Sequence, residues 1–335
     1  MYQTTKVLDV HGHVSVPPSS NAFLTLMLGS NTAMPSPLSG RGRATATEEE
    51  FRKAAAGHVS YMDERNIDVQ IIGPRPFMML GWMEPHLLPA WSRYVNDTIH
   101  QQVSWYPDRF LGAAQLPQIS SADDLGNCID ELNRCVQEYG FIAAYVSPDP
   151  AGKRTTPGMH EPYWYPLYER AQELGIPLIL HGTNGLDPRY RVVPHNYQLS
   201  FVTEQYLAGQ FLSHGDVFER YPELKVVICH CGGALNRFIP TDEHIAQKDL
   251  SRNLFYDTCA YDKVFLEAAI KQRGVNQMVF GSEAPGSGRA VRPETGKTSD
   301  DLVPVISAYD FLTEEDKITI FNRNPAKVFP ALAKI

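Results

Sequence analysis

Two histidines in the first apolar run of the chain have the spacing of metal ligands. Residues 6–14, KVLDVHGHV, place His11 and His13 two positions apart. In an extended strand alternate side chains point the same way, so both imidazoles leave one side of the backbone about 6.6 Å apart at Cα. Asp9 shares this alternation, and we expect it to orient an imidazole or to pack the strand. Imidazole is the commonest metal ligand, although a solvated turn could also carry His-Gly-His.

Further residues with metal-binding side chains directly follow later apolar runs. His181 follows residues 177–180, His230 follows residues 225–229, and Glu283 follows residues 278–280 within a Gly/Pro-rich exit. Taken singly, each is as well explained by a hydrogen-bonded core histidine or a surface carboxylate. Their shared position after strands favours a site of imidazoles and one carboxylate, which suits Zn²⁺ or Mn²⁺.

These residues need a scaffold that brings the ends of several strands together. Eight short apolar runs alternate with helices or helix-length connections, which predicts a (β/α)8 TIM barrel with its working residues at the carboxyl ends of the strands. We predict strands over residues 6–14, 68–72, 110–116, 141–146, 177–180, 225–229, 254–258 and 278–280. An open, doubly wound sheet is the alternative, but no strand is followed by the GxGxxG pattern of dinucleotide binding. We therefore predict a single barrel domain over residues 1–335.

The connections add detail to this barrel. A long polar loop is expected after the first strand, over residues 17–46, with a basic patch at Arg41 and Arg43. Thr47 and Glu50 form a capping-box pattern that begins a helix ending near residue 65. The tail, residues 300–332, is predicted to form two or three helices, with Asn324 as an N-cap before Pro325.

Composition excludes several classes of partner. The chain has 335 residues, a formal net charge of -8 and no long apolar span, so we expect neither nucleic-acid nor membrane binding. The chain opens without a signal-peptide pattern, and we expect a cytoplasmic protein. Five cysteines without a CxxC pair indicate reduced thiols.

Four motifs together carry a family resemblance over nearly the whole chain. The motifs are DxHxH at residues 9–13, LILHG at 178–182, ICHCGG at 228–233 and FGSE at 280–283. They resemble the amidohydrolase superfamily, in its branch of aromatic-acid and aminocarboxymuconate-semialdehyde decarboxylases. Glu283, where that branch usually has Asp, and the following SGR and RPETG stretches are more similar to its 4-oxalomesaconate hydratases. The IGPR of residues 72–75 and the SPDPAG of residues 147–152 are similar to the same hydratases.

One stretch departs from the family pattern. After the sixth strand the family typically continues HGGG and then a Gly-Arg pair, whereas this chain has Cys231 and continues GGALNR over residues 232–237. We therefore expect part of the substrate pocket, and with it the substrate, to differ from those of the family.

The resemblance implies a role for each candidate residue. The implied metal ligands are His11, His13, His181 and Glu283, with His230 and Glu283 acting in catalysis, His230 as general acid or base. A divalent ion there would let water lose a proton near neutral pH, as hydration of an unsaturated keto acid requires. Arg75, Arg289 and Arg292 are expected to bind the carboxylates of a small anionic substrate. His195 and Tyr197 are within sequence reach of the same site. By analogy with relatives we expect a homodimer.

Other activities remain open at this point. A decarboxylase would use the same metal to chelate the substrate carboxylate and a neighbouring hydroxyl, and a hydrolase of lactones or amides would use the same activated water. A barrel that binds a metal or a small acid without turning it over is a third class, although structural zinc sites are usually closed, cysteine-rich sets.

Overall fold

Eight parallel strands in chain order form the centre of the protein. The structure is a computed structural model that describes residues 1–18, 20–21, 45–192, 198–237 and 248–335. The strands are β1 (Leu8–His13), β2 (Val69–Gly73), β3 (Phe110–Gln115), β4 (Ala143–Val146), β5 (Leu178–Leu180), β6 (Val226–Ile228), β7 (Leu254–Asp257) and β8 (Met278–Val279). Each strand pairs in parallel with the next, from β1 to β8.

The first and last strands meet and nearly close the sheet into a barrel. The Val10 N–H donates to the Phe280 carbonyl at 2.9 Å, and the Glu283 N–H donates to the His11 carbonyl at 2.8 Å. Helices follow the strands on the outside, as parallel strands require. The predicted (β/α)8 barrel is confirmed.

Helices connect and cover the strands. They are α1 (Glu48–Glu64), α2 (Leu88–Trp105), α3 (Gly126–Tyr139), α4 (Tyr165–Leu174), α5 (Gln198–His214), α6 (Val217–Arg220), α7 (Lys263–Arg273), α8 (Val303–Ser307), α9 (Glu314–Ile318) and α10 (Asn324–Val328). Within the described ranges, no helix is long and apolar enough to span a membrane.

Two apolar layers hold the barrel together. Alternate strand residues such as Val10, Ile71 and Phe255 fill its interior, and Phe329 and Leu332 from the C-terminal tail pack against them. The other faces of the strands pack against the surrounding helices. The polar residues at the opposite, carboxyl ends of the strands are therefore held on a rigid, fully packed base.

Sequence signals at the helix ends had mixed outcomes. The capping box at Thr47 is confirmed, because Thr47 Oγ1 accepts from the Glu50 N–H and Glu50 Oε2 accepts from the Thr47 N–H. Asn324 as an N-cap is wrong, since the backbone is helical from Glu314 through a π-helical turn to Val328. The Asn324 amide instead donates to the carbonyls of Val275 and Met278. Most of the predicted loop over residues 17–46, including Arg41 and Arg43, lies outside the described residues.

Candidate metal centre

Five side chains from four strand ends converge at the mouth of the barrel. One ligand atom from each of His11, His181, His230 and Glu283 lies within 4.8 Å of all the others. His13 joins the cluster through two contacts, with its Nε2 3.3 Å from His11 Nε2 and 3.6 Å from Glu283 Oε1. All four predicted ligands and the predicted catalytic histidine are thus brought together, although their separate roles remain predictions.

The four imidazoles share one orientation, with Nδ1 bonded outward and Nε2 turned into the cluster. His11 Nδ1 lies 2.7 Å from Asp257 Oδ2, His13 Nδ1 lies 2.8 Å from the Pro74 carbonyl, and His181 Nδ1 lies 2.7 Å from the Gly182 carbonyl. Because these three partners can only accept, each Nδ1 carries the proton and each Nε2 presents a lone pair.

The fourth imidazole differs in the chemistry of its partner. His230 Nδ1 lies 3.0 Å from Nε2 and 3.1 Å from Oε1 of Gln205. A side-chain amide can donate or accept, so Gln205 can support either tautomer of His230. This separates His230 from the three imidazoles whose tautomer is fixed.

Buried nitrogen atoms in the cluster lack partners. Within the part of the chain that the structure describes, Nε2 of His181 and Nε2 of His230 have no hydrogen-bond partner. Buried polar atoms are normally paired, and an orphaned imidazole nitrogen facing a carboxylate and other imidazoles fits a metal ion. The donor set could therefore hold a divalent cation.

Electrostatics keep two of the four imidazoles neutral and therefore ready to bind an ion. Burial lowers the pKa of His13 to about 4, and burial with the neighbouring imidazoles lowers the pKa of His181 well below its usual value. Burial also opposes protonation of His11, but the Asp257 carboxylate outweighs it and the net pKa of His11 is raised. Neutral imidazole is the form that binds metal, so His13 and His181 need lose no proton at neutral pH.

Glu283 is held in a strained but well-supported position. Its φ of 56° lies in the left-handed region, which is costly for a residue with a side chain and is typical of functional sites. Its Oε2 accepts from Tyr261 at 2.9 Å and from Ser287 at 2.8 Å. Burial would raise the pKa of Glu283, but His13 and His230 outweigh it and hold the pKa well below the usual value. The carboxylate is therefore anionic and faces the imidazoles.

The loop after β6, where the sequence departs from the family pattern, is also strained. His230 and Cys231 have φ values of 53° and 55°, and Gly232 and Gly233 continue in the same region. Cys231 thus occupies a conformation that favours glycine. The Cys231 N–H donates to Asp257 Oδ1 at 3.1 Å, which helps to hold the backbone in this shape. The departure therefore lies next to the cluster, of which His230 is still a member.

The strict alternation predicted for the first strand is wrong at one residue. Asp9 pairs with Gln70 and Gly12 pairs with Ile72, so β1 has one residue more than β2 over this stretch. Such a bulge breaks the two-residue period. Asp9 therefore does not face the imidazoles: its Oδ1 accepts the backbone N–H of His11 at 3.0 Å, and its remaining hydrogen bonds are with Gln70 and Ser282.

Asp257, the last residue of β7, is a partner of the cluster that the sequence reasoning missed. Its carboxylate bonds the ring of His11 and the backbone N–H groups of Cys231 and Cys259. The signal was its position at a strand end, the same rule that selected His181 and His230.

The three predicted substrate-binding arginines have different surroundings. Arg75 and Arg289 line a cavity of about 460 Å³ together with Ser15 and His58. Arg75 also donates from Nε to the Val14 carbonyl at 2.9 Å. Arg292 does not line this cavity; its guanidinium donates to the carbonyls of Tyr261 and Ser299, both at 2.8 Å. His195 and Tyr197 lie outside the described residues.

A comparison with protein families agrees with this architecture. The amidohydrolase family model, Amidohydro_2, matches residues 8–331. The chain belongs to this amidohydrolase family. The predicted resemblance is confirmed.

Individual relatives are similar to the chain over most or nearly all of its length. A 2-keto-4-carboxy-3-hexenedioate hydratase from Sphingobium sp. is 29% identical over 97% of this chain and 96% of its own. The crystal structure of 4-oxalomesaconate hydratase from Rhodopseudomonas palustris has a TM-score of 0.79 and 30% identity, covering 98% of this chain and 97% of its own. A gamma-resorcylate decarboxylase from Polaromonas sp. is 28% identical over 68% of this chain and 76% of its own. These similar amidohydrolases are lyases, as the sequence predicted.

Proposed function

We propose that the protein is a metal-dependent lyase that adds water to an unsaturated keto acid bearing several carboxylates. The observation that carries this proposal is the convergence of four imidazole Nε2 atoms and the Glu283 carboxylate, with acceptor-only partners on three of the four Nδ1 atoms. Similarity to two hydratases along the whole chain selects hydration among the activities of the family.

In this proposal His11, His13, His181 and Glu283 hold the ion. Nitrogen ligands with one carboxylate suit zinc, and manganese is the alternative. When bound, the ion would supply Lewis acidity and an activated water. Asp257 would keep the His11 lone pair directed at the ion, since its carboxylate accepts the Nδ1 proton.

His230 moves the proton that hydration delivers to carbon. Addition of water to a carbon–carbon double bond puts hydroxyl on one carbon and a proton on the other. The Nε2 of His230 faces the cluster, 3.6 Å from Glu283 Oε2, and can give or take that proton. Gln205 can follow either tautomer of the ring because its amide both donates and accepts.

The substrate carboxylates are bound by arginine. Arg75 and Arg289 line one cavity beside the strand ends that carry His13 and Glu283. Guanidinium pairs with carboxylate through two parallel hydrogen bonds, and an acidic protein needs such local positive charge to attract an anion. Arg292 is the weaker candidate because its donors already bond backbone carbonyls.

Metal content and turnover test the proposal. The purified protein is expected to contain about one Zn²⁺ or Mn²⁺ per chain and to consume 4-oxalomesaconate. His181→Ala is expected to lose both metal and turnover, whereas His100→Ala, which removes a histidine stacked on Tyr139 away from the cluster, is expected to keep both. Turnover of the acid by metal-free protein would contradict the proposal.

Decarboxylation of an aromatic or muconate-type acid is the second candidate, supported by the similarity to gamma-resorcylate decarboxylase. The same cluster could chelate a substrate carboxylate and hydroxyl. Release of carbon dioxide from hydroxybenzoates, with no hydration of 4-oxalomesaconate, would favour it.

A cytoplasmic location and a homodimer stay predictions. Light scattering on the purified protein tests whether it is a homodimer.

A further inference from the structure

A buried chain of hydrogen bonds runs behind the candidate metal centre, on the outer side of β1 and β2. It begins at Asp9, whose carboxylate accepts four hydrogen bonds. Oδ1 accepts the N–H groups of His11 at 3.0 Å and Ser282 at 3.1 Å. Oδ2 accepts from Ser282 Oγ at 2.5 Å and from Gln70 Nε2 at 2.8 Å. Asp9 thus joins the backbone of His11 to the residue before Glu283.

Gln70 extends this connection to the other side of Glu283. Its Nε2 also donates to the Ala284 carbonyl at 2.8 Å. A backbone carbonyl can only accept, so the amide orientation is fixed with nitrogen towards Ala284 and Asp9. The Gln70 amide therefore ties together the two chain segments that present His11 and Glu283.

The same amide connects the metal centre to the cavity wall. Because the position of Gln70 Nε2 is fixed, that of Gln70 Oε1 is fixed as well, and this oxygen can only accept. It lies 2.7 Å from His58 Nε2, so His58 Nε2 carries the proton. His58 Nδ1 is then bare and accepts from Ser15 Oγ at 2.8 Å. Ser15 and His58 both line the cavity that contains Arg75 and Arg289.

The glycine between the two metal-binding histidines is explained by this amide. A Cβ at Gly12 would lie 2.3 Å from Cδ and 2.4 Å from Oε1 of Gln70, closer than the non-bonded contacts that Cβ atoms make in proteins. Gly12 therefore leaves the space that Gln70 occupies. The His-Gly-His motif and Gln70 form one packed unit.

We infer that Gln70 is a positioning residue that sets the geometry between the β1 and β8 ligands and between the metal centre and the carboxylate-binding cavity. Gln70 belongs neither to the cluster nor to the residues that line the cavity. This inference rests on the proposed function, because it assigns Gln70 a role towards the metal site proposed there. Residues that orient metal ligands typically change metal affinity about 10- to 100-fold when substituted.

Cobalt binding separates this role from a purely structural one. Gln70→Met keeps a similar volume but removes both donors and the acceptor. We expect Co²⁺ affinity to fall about 10- to 100-fold, with a changed visible absorption spectrum that reports a changed ligand geometry. Gln115→Met is the matched control, since Gln115 is equally buried at the end of β3 but bonds Ser92 of α2. Its cobalt affinity and spectrum are expected to match the wild type.

The outcomes distinguish the inference from the function on which it rests. Wild-type affinity and spectrum in Gln70→Met would overturn the inference while leaving the proposed function intact. If wild-type protein itself binds no cobalt, the proposed metal centre fails first. If Gln70→Met does not fold, Gln70→Leu removes the same donors and acceptor with a smaller side chain and carries the same expectation. An unchanged cobalt spectrum in Gln70→Leu would then overturn the inference.

Discussion

The Asp257 carboxylate and the His11 imidazole form a fully buried pair, with Oδ2 2.7 Å from Nδ1. The two residues are 246 positions apart in the chain. The barrel brings them together because β7 pairs with β8 and the chain directly after β8 bonds to β1. An anionic acceptor on Nδ1 fixes the tautomer and makes Nε2 a better electron donor.

Asp257→Asn tests this pair directly. The amide is nearly the same shape but is neutral, and it can donate as well as accept, so the His11 tautomer is no longer fixed. We expect zinc affinity to fall about 10- to 100-fold, measured by competition with a chelator. Asp249→Asn, an exposed carboxylate that bonds Ser251, is the control and is expected to bind zinc as the wild type does. Equal affinity in the two variants would contradict the role given to Asp257.

Substitution of His230 is expected to separate chemistry from metal binding. His230→Asn removes the proton-transfer group, and we expect kcat to fall about 100- to 10,000-fold with metal content retained. His13→Ala is expected to reduce metal content as well as kcat. Loss of the metal from His230→Asn would show instead that His230 is a ligand, as its place in the tight group of four would also permit.

Arginine substitutions are expected to act on substrate binding. Arg75→Met and Arg289→Met each remove a guanidinium from the cavity, and we expect KM to rise about 10-fold or more, the scale of one charge-assisted hydrogen bond. Because the metal centre is untouched, kcat should change less than KM. Arg93→Met on α2, where the side chain is 64% exposed, provides the control. An unchanged KM in Arg75→Met would place the carboxylate site elsewhere.

The stability of the metal-free protein is expected to depend on pH through His58. Burial lowers the pKa of His58 from 6.5 to about 3. Between these values the unfolded chain binds a proton that the folded protein does not, so folding becomes less favourable as pH falls from 6.5 towards 3. His58→Gln lacks this group, and its melting temperature should fall less steeply with acid than that of the wild type. His86→Gln, at an exposed position, should follow the wild type; identical slopes in all three proteins would contradict the prediction.

The barrel and its cluster were predictable because both follow from local patterns. Short apolar runs at regular intervals indicate the strands, and His181, His230 and Glu283 each lie within four residues after the end of one of them. In a closed parallel barrel such positions must meet at one end.

The positions of several other polar side chains were not predictable in the same way. Gln205 belongs to a helix and contacts His230 from outside the barrel, and nothing in its local sequence marks it. The position of Asp9 depends on a one-residue bulge, which alternation cannot reveal. Asn324 has an N-cap sequence, but two carbonyls near β8 bind its amide instead. Contacts with residues far away in the chain determine where each of these side chains lies.

Product analysis in water labelled with heavy oxygen tests the central claim most directly. Metal-loaded protein is incubated with 4-oxalomesaconate, and the product mass and the released gas are measured together. A hydratase predicts a product heavier by one labelled water, with no carbon dioxide and no product from His181→Ala. Carbon dioxide release with an unlabelled, lighter product would contradict hydration and identify the protein as a decarboxylase.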